Sequence, residues 1–309
     1  MTASSRRMLR IAGSMLTAGA LVLSSQAAVN ASPAASEASL QQSLKDPPVI
    51  SVNMTTDGGF SLPATVHAGL VTFKVSSPED GFHALQGFSL NPGVTLDQVK
   101  QEIDDALSGD PAIVPTAIAA LTSHITEIGG VSTTTYAPQS ITIPMAPGTY
   151  YFLDVNTINN PPLTPVYHTL RAIGQFKWSR LPNFSAVINM STEGPLTFNA
   201  PSDLAAKGSF LAFASGDELS QVAFRPVVPG TTDAYISEFY KAVRNGTTRP
   251  PSPWTGAPVG MQALSPGRWA IMHIDLPPGP YALTDFVPSN EAPGWPHTYI
   301  GMHKVVTLH

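Results

Sequence analysis

Cysteine is absent from all 309 residues. That absence excludes disulfides, thiolate metal sites, a cysteine nucleophile and a lipid-modified N-terminal cysteine, whatever the compartment. Charge is scarce as well: Asp, Glu, Lys and Arg make up 12 %, against an average of about 25 %. Coiled coils, long-helix bundles and charge-rich disordered tails do not fit so few charges. Basic residues number 16 against 21 acidic ones, a net charge of −5. No nucleic-acid partner is expected, because phosphate contacts need clustered Lys and Arg. The sequence holds no Gly-x-Ser-x-Gly elbow, no Walker loop and no His-Glu-x-x-His helix, so hydrolase and nucleotide-binding readings find no support.

Present in excess are Pro (30 residues) and Gly (24), and apolar residues reach 43 %. The length suits two domains with real cores. At the N-terminus, Arg6, Arg7 and Arg10 precede an apolar and small-residue stretch from Ile11 to Leu23, with no acid before Glu37. This is the layout of a secretory signal, and it is too short for a membrane span. Ser5 to Arg10 also resembles the twin-arginine motif, so Sec and twin-arginine export both stay open. Small residues at cleavage spacing occur at Ser25 with Ala27 and at Val29 with Ala31. The expectation is a signal over 1–31, a Ser/Ala/Pro-rich linker over 32–47, and a secreted bacterial product with no integral membrane segment after cleavage.

The rest of the chain repeats itself. Val52-Asn53-Met54-Thr55-Thr56-Asp57-Gly58 recurs 136 residues later as Ile188-Asn189-Met190-Ser191-Thr192-Glu193-Gly194. Each run leads into an alternating strand and a second strand (Leu70 to Val75; Phe210 to Ala214). The late portions match too: Ile141 to Asp154, through Pro147-Gly148-Thr149-Tyr150, parallels Ile271 to Asp285, through Pro278-Gly279-Pro280-Tyr281. A unit of this size is a domain rather than a solenoid repeat, which predicts two all-β domains over 48–178 and 179–309. Each carries a helical connection. Thr95 with Gln98 forms a capping box before Leu96, Val99, Ile103 and Leu107, with Gly109 as the stop. Ile236, Phe239 and Val243 precede Gly246 in the second. A further apolar stretch, Ala112 to Ile128, lengthens the first insertion, and both helices are expected over a sheet edge or end.

Spacing then carries a resemblance. A strand from Val71 to Val75 leads through Ser76 to Phe82 to His83; a Gly-x-Tyr strand beginning at Gly148 reaches Asp154; His168 follows in a loop. This resembles the cupredoxin family of plastocyanin-like and azurin-like Greek-key sandwiches, over most of both repeats. The resemblance implies two tandem sandwiches. In the family the sixth residue after that Gly is the copper-binding Cys; here it is Asp154, and after Gly279 it is Asp285. His297 and Met302, in Pro296-His297-Thr298-Tyr299-Ile300-Gly301-Met302, match the family's closing His and Met. The first repeat has no matching Met, and in the second the first His is matched by Gln221. The His-x-His pairs of multicopper oxidases are absent.

A blue-copper centre depends on a soft thiolate, so fast electron transfer at such a site is not expected. Two readings stay open for the donors that remain. His83, Asp154 and His168 form a two-His, one-carboxylate set of the kind that takes Zn2+, Fe2+ or Cu2+, with Asp285, His297 and Met302 a poorer set in the second repeat. Alternatively, an Asp ending a strand caps its own turn and a neighbouring His bonds to it, with Met302 a packing residue. The leading expectation is therefore a non-enzymatic binding or structural module with no cofactor and a protein or cell-wall partner. Its alternatives are an extracellular copper or other divalent-metal binder and an atypical mononuclear oxidoreductase using Asp154.

Overall fold

The computed structural model describes residues 44–77, 82–108, 110, 112–133, 139–159, 165–290, 292 and 294–309. The signal expected over 1–31 and all but the end of the linker lie outside them, as does Gly109. In the first half the described elements are β1 (Val49–Asn53), β2 (Thr65–Ser76), β3 (His83–Leu90), α1 (Leu96–Leu107), α2 (Val114–His124), β4 (Ile125–Thr133), β5 (Gln139–Met145), β6 (Gly148–Asp154), α3 (Val155–Asn159) and β7 (His168–Lys177). In the second half come β8 (Ala186–Ser191), β9 (Thr197–Asn199), β10 (Asp203–Leu204), β11 (Lys207–Ser215), β12 (Ser220–Pro226) and α4 (Asp233–Asn245). They are followed by β13 (Val259–Leu264), β14 (Trp269–Asp275), β15 (Gly279–Thr284), a 3-10 turn (His297–Ile300) and β16 (His303–Leu308). Residues 178–185 join β7 to β8 without helix or strand.

In the strands with one covered face, buried apolar residues recur at every second position. β1 buries only Ile50 and Val52, and β11 buries Phe210, Ala212 and Ala214, the period of two that one covered face imposes. Strands pair in the order β10-β16-β15-β12-β13-β4-β3-β6-β7-β2-β5-β14-β11-β8-β9, with β1 alongside β2. The path folds back at β7, which pairs antiparallel with β6 and parallel with β2. Two layers thus face each other across one apolar core. Phe73 of β2 meets Phe152 of β6 at 5.0 Å between ring centroids, and Phe210 of β11 faces Phe224 of β12 at 6.0 Å. The fold is an all-β sandwich with helical insertions.

Corresponding strands pair alike in the two halves. β1 runs parallel to β2 as β8 does to β11, and β2 pairs with β5 as β11 pairs with β14. Gly58 and Gly194 share a φ of 77°, in the left-handed region that glycine enters freely. Tyr150 and Tyr281 each donate their hydroxyl to the carbonyl four residues back, Ala146 and Pro277. The halves are joined strand to strand in both layers, through β4 with β13 and β5 with β14. At the first seam Gly260 donates its N–H to Ser132 Oγ (2.7 Å), and Glu127 and Ser265 exchange hydrogen bonds.

The first helix begins where the sequence indicates, and α4 is capped by a threonine in the same way. Thr95 Oγ1 accepts from Gln98 N and Thr232 Oγ1 from Tyr235 N, both at 3.2 Å, while Gly246 ends α4 at φ 64°. Three expectations are corrected. The Gln98 side chain turns to Glu102 (3.1 Å) rather than back to the cap, so the box is half formed. The apolar stretch Ala112 to Ile128 is not one insertion, because its last residues start β4, where Ile128 enters the sandwich core. Neither helical connection covers an edge. The α1–α2 pair packs Val99 with Phe88, Ile125 and Leu153, and α4 packs Ile236 and Tyr240 with Val227 and Ala282. Both therefore lie on the outer face of the layer holding β3, β4, β6, β12, β13, β15 and β16. Among the described residues no helix is long and apolar enough to cross a membrane.

Candidate functional site

Asp154 ends β6 and His83 begins β3, the strand beside it, which puts Asp154 opposite Leu85. Both side chains are buried. His83 Nδ1 donates to Asp154 Oδ2 at 2.6 Å, and a carboxylate that only accepts places the proton on that nitrogen. The other oxygen, Oδ1, accepts from Ala84 N (2.9 Å) and from Asn156 N (3.0 Å), the second bond opening α3. Asp154 therefore ties β3, β6 and α3 together. His168 stands apart from this pair: it is the first residue of β7 rather than a loop residue, opposite Phe152. Its ring lies on Phe60 with centroids 3.9 Å apart, and among the described residues its buried Nε2 has no hydrogen-bond partner. Burial lowers the His168 pKa, which favours the neutral ring.

In the second half Asp285 holds the matching place with a different partner. Its Oδ2 accepts from His297 Nδ1 (3.0 Å) and Gln221 N (3.2 Å), and its Oδ1 accepts from Val287 N (2.8 Å). The other imidazole nitrogen, His297 Nε2, donates to Glu218 Oε2 (3.0 Å), which also accepts from Asn290 N (2.7 Å). Asp285, His297 and Glu218 are all buried. Burial opposes charge on His297, but the carboxylates of Asp285 and Glu218 outweigh it and raise its pKa, and both ring nitrogens face carboxylate oxygens. At Asp285, burial outweighs the bonds from His297, Val287 and Gln221, and pushes the carboxyl up. Met302 is fully buried in the sandwich core and donates its N–H to His297 O (3.0 Å).

The matching of His83 with Gln221 is shifted by one residue. The N–H groups of Ala84 and Gln221 both bond the aspartates, and Gly130 and Gly260 abut the carbonyls of Leu85 and Val222. Leu85 thus corresponds to Val222, Ala84 to Gln221, and His83 to Ser220, which is fully buried. A one-residue slip exchanges the two faces of a strand, so Gln221 lies on the side away from the place that His83 fills.

Neither donor set fits a metal. A type 1 copper site has no thiolate to use, and both oxygens of each aspartate are engaged by protein N–H groups. Among the described residues no group of three His, Asp or Glu side chains is placed to hold an ion. Each aspartate instead bonds an imidazole Nδ1 and caps the turn that follows it.

Two acids escaped the sequence reading. Glu218 sits in a turn 79 residues from His297, and no local pattern links them. Glu127 left a signal: a lone acid in the apolar run Ile125 to Val131. It is buried in the seam, where Gln86 Nε2 donates to its Oε2 (2.6 Å) and also to Ala263 O (3.2 Å). Burial, only partly offset by the bond from Gln86, raises its pKa to about 8. Trp254 lies under the Arg225 guanidinium (4.4 Å), Trp295 meets Tyr299 (5.7 Å), and Trp178 is exposed beside Phe176.

No protein-family model and no curated protein matches the chain. Among solved structures, reduced auracyanin from Roseiflexus castenholzii is similar at 14 % identity over 41 % of this chain and 99 % of its own, with a TM-score of 0.26. Auracyanin A, described as a "blue" copper protein from Chloroflexus aurantiacus, is similar at 17 % identity over 40 % and 99 %, TM-score 0.26. Copper nitrite reductase from Nitrosomonas europaea is similar at 12 % identity over 85 % and 94 %, TM-score 0.24. At these identities and TM-scores the likenesses carry no argument about this chain, whose fold stands on its own strand order.

Proposed function

We propose that this chain is an exported, non-enzymatic protein of two tandem cupredoxin-like sandwiches in which aspartate–imidazole bonds have replaced metal coordination, and that it works by binding rather than by electron transfer. The observation that carries this reading is the same in each half. The carboxylate six residues after the Gly of the Gly-x-Tyr strand bonds an imidazole Nδ1, yet the imidazole is His83 in the first half and His297 in the second. Two different histidines close on one corresponding place, which supports structural replacement of a shared ion. An engaged, turn-capping carboxylate is a poor ligand, because coordination has to break two or three hydrogen bonds first. Calorimetric titration of metal-free protein with Cu2+ and Zn2+ tests this reading. Wild type is expected to take up neither ion stoichiometrically. One or two equivalents bound at micromolar affinity, and lost in His83→Ala or His297→Ala, overturns it in favour of a metal-binding protein.

A further inference from the structure

The seam between the halves leaves an open space that the aspartate networks do not fill. On the outer face of β3, β4, β12 and β13, beneath α1, α2 and the chain at 286–288, lies a cavity of about 490 Å3. That size is within the range of small-molecule sites, roughly 300 to 1,000 Å3. Its walls are mainly apolar, with Phe88, Leu121 and Leu219 among them, and its polar side chains include Glu127, Gln86, Gln221 and Gln262. A second cavity of about 180 Å3 continues past Leu121, Leu219, Val287 and Pro288. Both halves contribute walls, so the site exists only where the two sheets are joined.

We propose that this cavity binds an uncharged, largely apolar small molecule whose carbonyl or ether oxygen accepts a hydrogen bond from the Glu127 carboxyl. The proposal rests on the reading of the chain as a binding module and names what it binds and where. Gln86 donates to Oε2, which marks that oxygen as the acceptor of the carboxyl group and leaves Oε1 to carry the proton. Among the described residues Oε1 has no protein partner. With a pKa of about 8, Glu127 is mainly protonated at neutral pH and is a donor there. Its setting reinforces that state. Among the described residues lining the larger cavity it is the one ionisable group; Glu218 lines the smaller one, and the ionisable residues of the covering helices (Asp97, Lys100, Glu102, Asp104, Asp105 and His124) line neither, nor do Asp154 of β6 and Arg225 of β12. An anionic ligand finds no cation, and a cationic one must be desolvated against a neutral acid. An apolar molecule with one acceptor oxygen satisfies Oε1–H, and the amides of Gln221 and Gln262, which line the same cavity, offer further donors to orient it.

Two dyes of nearly the same shape test this: Nile red, uncharged and bearing a ring carbonyl, and Nile blue, its cationic counterpart, each titrated by fluorescence into the full chain at pH 7. Nile red is expected to saturate at one site. Ala263→Trp and Leu121→Trp, which fill the cavity from opposite walls, are each expected to abolish saturation while the far-ultraviolet dichroism stays native; two variants guard against one failing to fold. Glu127→Ala is expected to weaken Nile red about ten-fold, the loss of one buried hydrogen bond. Wild-type binding is expected to weaken between pH 7 and 9.5, and Glu127→Gln, which keeps a donor but cannot ionise, to hold its affinity. Tighter binding of Nile blue, blocked by the two Trp variants, overturns the uncharged class while leaving a binding module in place. Saturation by neither dye overturns the site itself, whatever the metal titration returns. An affinity that ignores pH and Glu127→Ala overturns the role given to that carboxyl.

Discussion

His297→Ala is expected to destabilise the fold by about 3–5 kcal/mol, the range for removing one partner of a buried ion pair. The reason is what remains. Asp285 is fully buried and Glu218 nearly so, and without the imidazolium between them two carboxylates face each other across an apolar gap. Their N–H partners at Val287, Gln221 and Asn290 cannot supply a full opposite charge. His83→Ala is expected to cost less, about 2–3 kcal/mol, because Asp154 keeps two backbone donors and has no second carboxylate beside it. Urea unfolding at pH 6 of the two variants against wild type checks the ranking. Equal losses, or a smaller loss for His297→Ala, contradict the charge-balanced account of the second network. A double cycle with Glu218→Gln adds a sharper reading. Removing that carboxylate's charge is expected to relieve part of the His297→Ala penalty, a coupling of about 1 kcal/mol or more.

The second large effect concerns pH. Glu127 has its pKa raised from the usual 4.5 to about 8 by burial. The folded state therefore binds more protons than the unfolded chain between those values, and stability falls as pH rises. A shift of this size corresponds to about 3–5 kcal/mol, present below pH 4.5 and lost by the time the pH has passed 8. The raised pKa of His297 acts in the same direction above its ordinary value of 6.5, and that of Asp285 does so above 3.8. Asp57 and Asp233, whose pKa values are lowered, act oppositely and only in acid, and His168 and His273, lowered by burial, act oppositely below their ordinary 6.5. Maximal stability is thus expected on the acid side of neutrality, with a marked decline between pH 6 and 9. Glu127→Gln is expected to flatten most of that decline and to be the more stable protein at pH 9, by a few kcal/mol. Melting temperatures of both proteins from pH 4 to 9.5 provide the check. A wild-type curve that is flat from 6 to 9, or a variant that declines in parallel with it, contradicts the neutral, buried state of this acid.

Much of the framework was readable because it is local. The strands announce themselves by alternation, the cap at Thr95 by its hydroxyl, and the matching turns at Gly58 and Gly194 by glycines that both adopt φ 77°. The aspartates were found by counting from Gly148 and Gly279, and both stand at strand ends, capping the following turn through Asn156 N and Val287 N. What stayed hidden depends on pairing across long stretches of chain. Gln86 and Ala263 are 177 residues apart, and Glu218 and His297 are 79. Register was the other blind spot. Gly130 and Gly260 lie against the carbonyls of Leu85 and Val222, and only that contact reveals Ser220, not Gln221, as the counterpart of His83. Nor does an amphipathic pattern say which outer face a helix covers, so the cavity under α1 and α2 has no signature beyond the single acid at Glu127.

Nitrogen-15 NMR of the histidine rings, recorded with and without one equivalent of Zn2+ per half, reads the central claim at its atoms. If each aspartate holds an imidazole in place of an ion, Nδ1 of His83 and Nδ1 of His297 keep their protons, slow to exchange and unmoved by the metal. Loss of either proton, with the nitrogen shifting to a metal-bound position, contradicts that account.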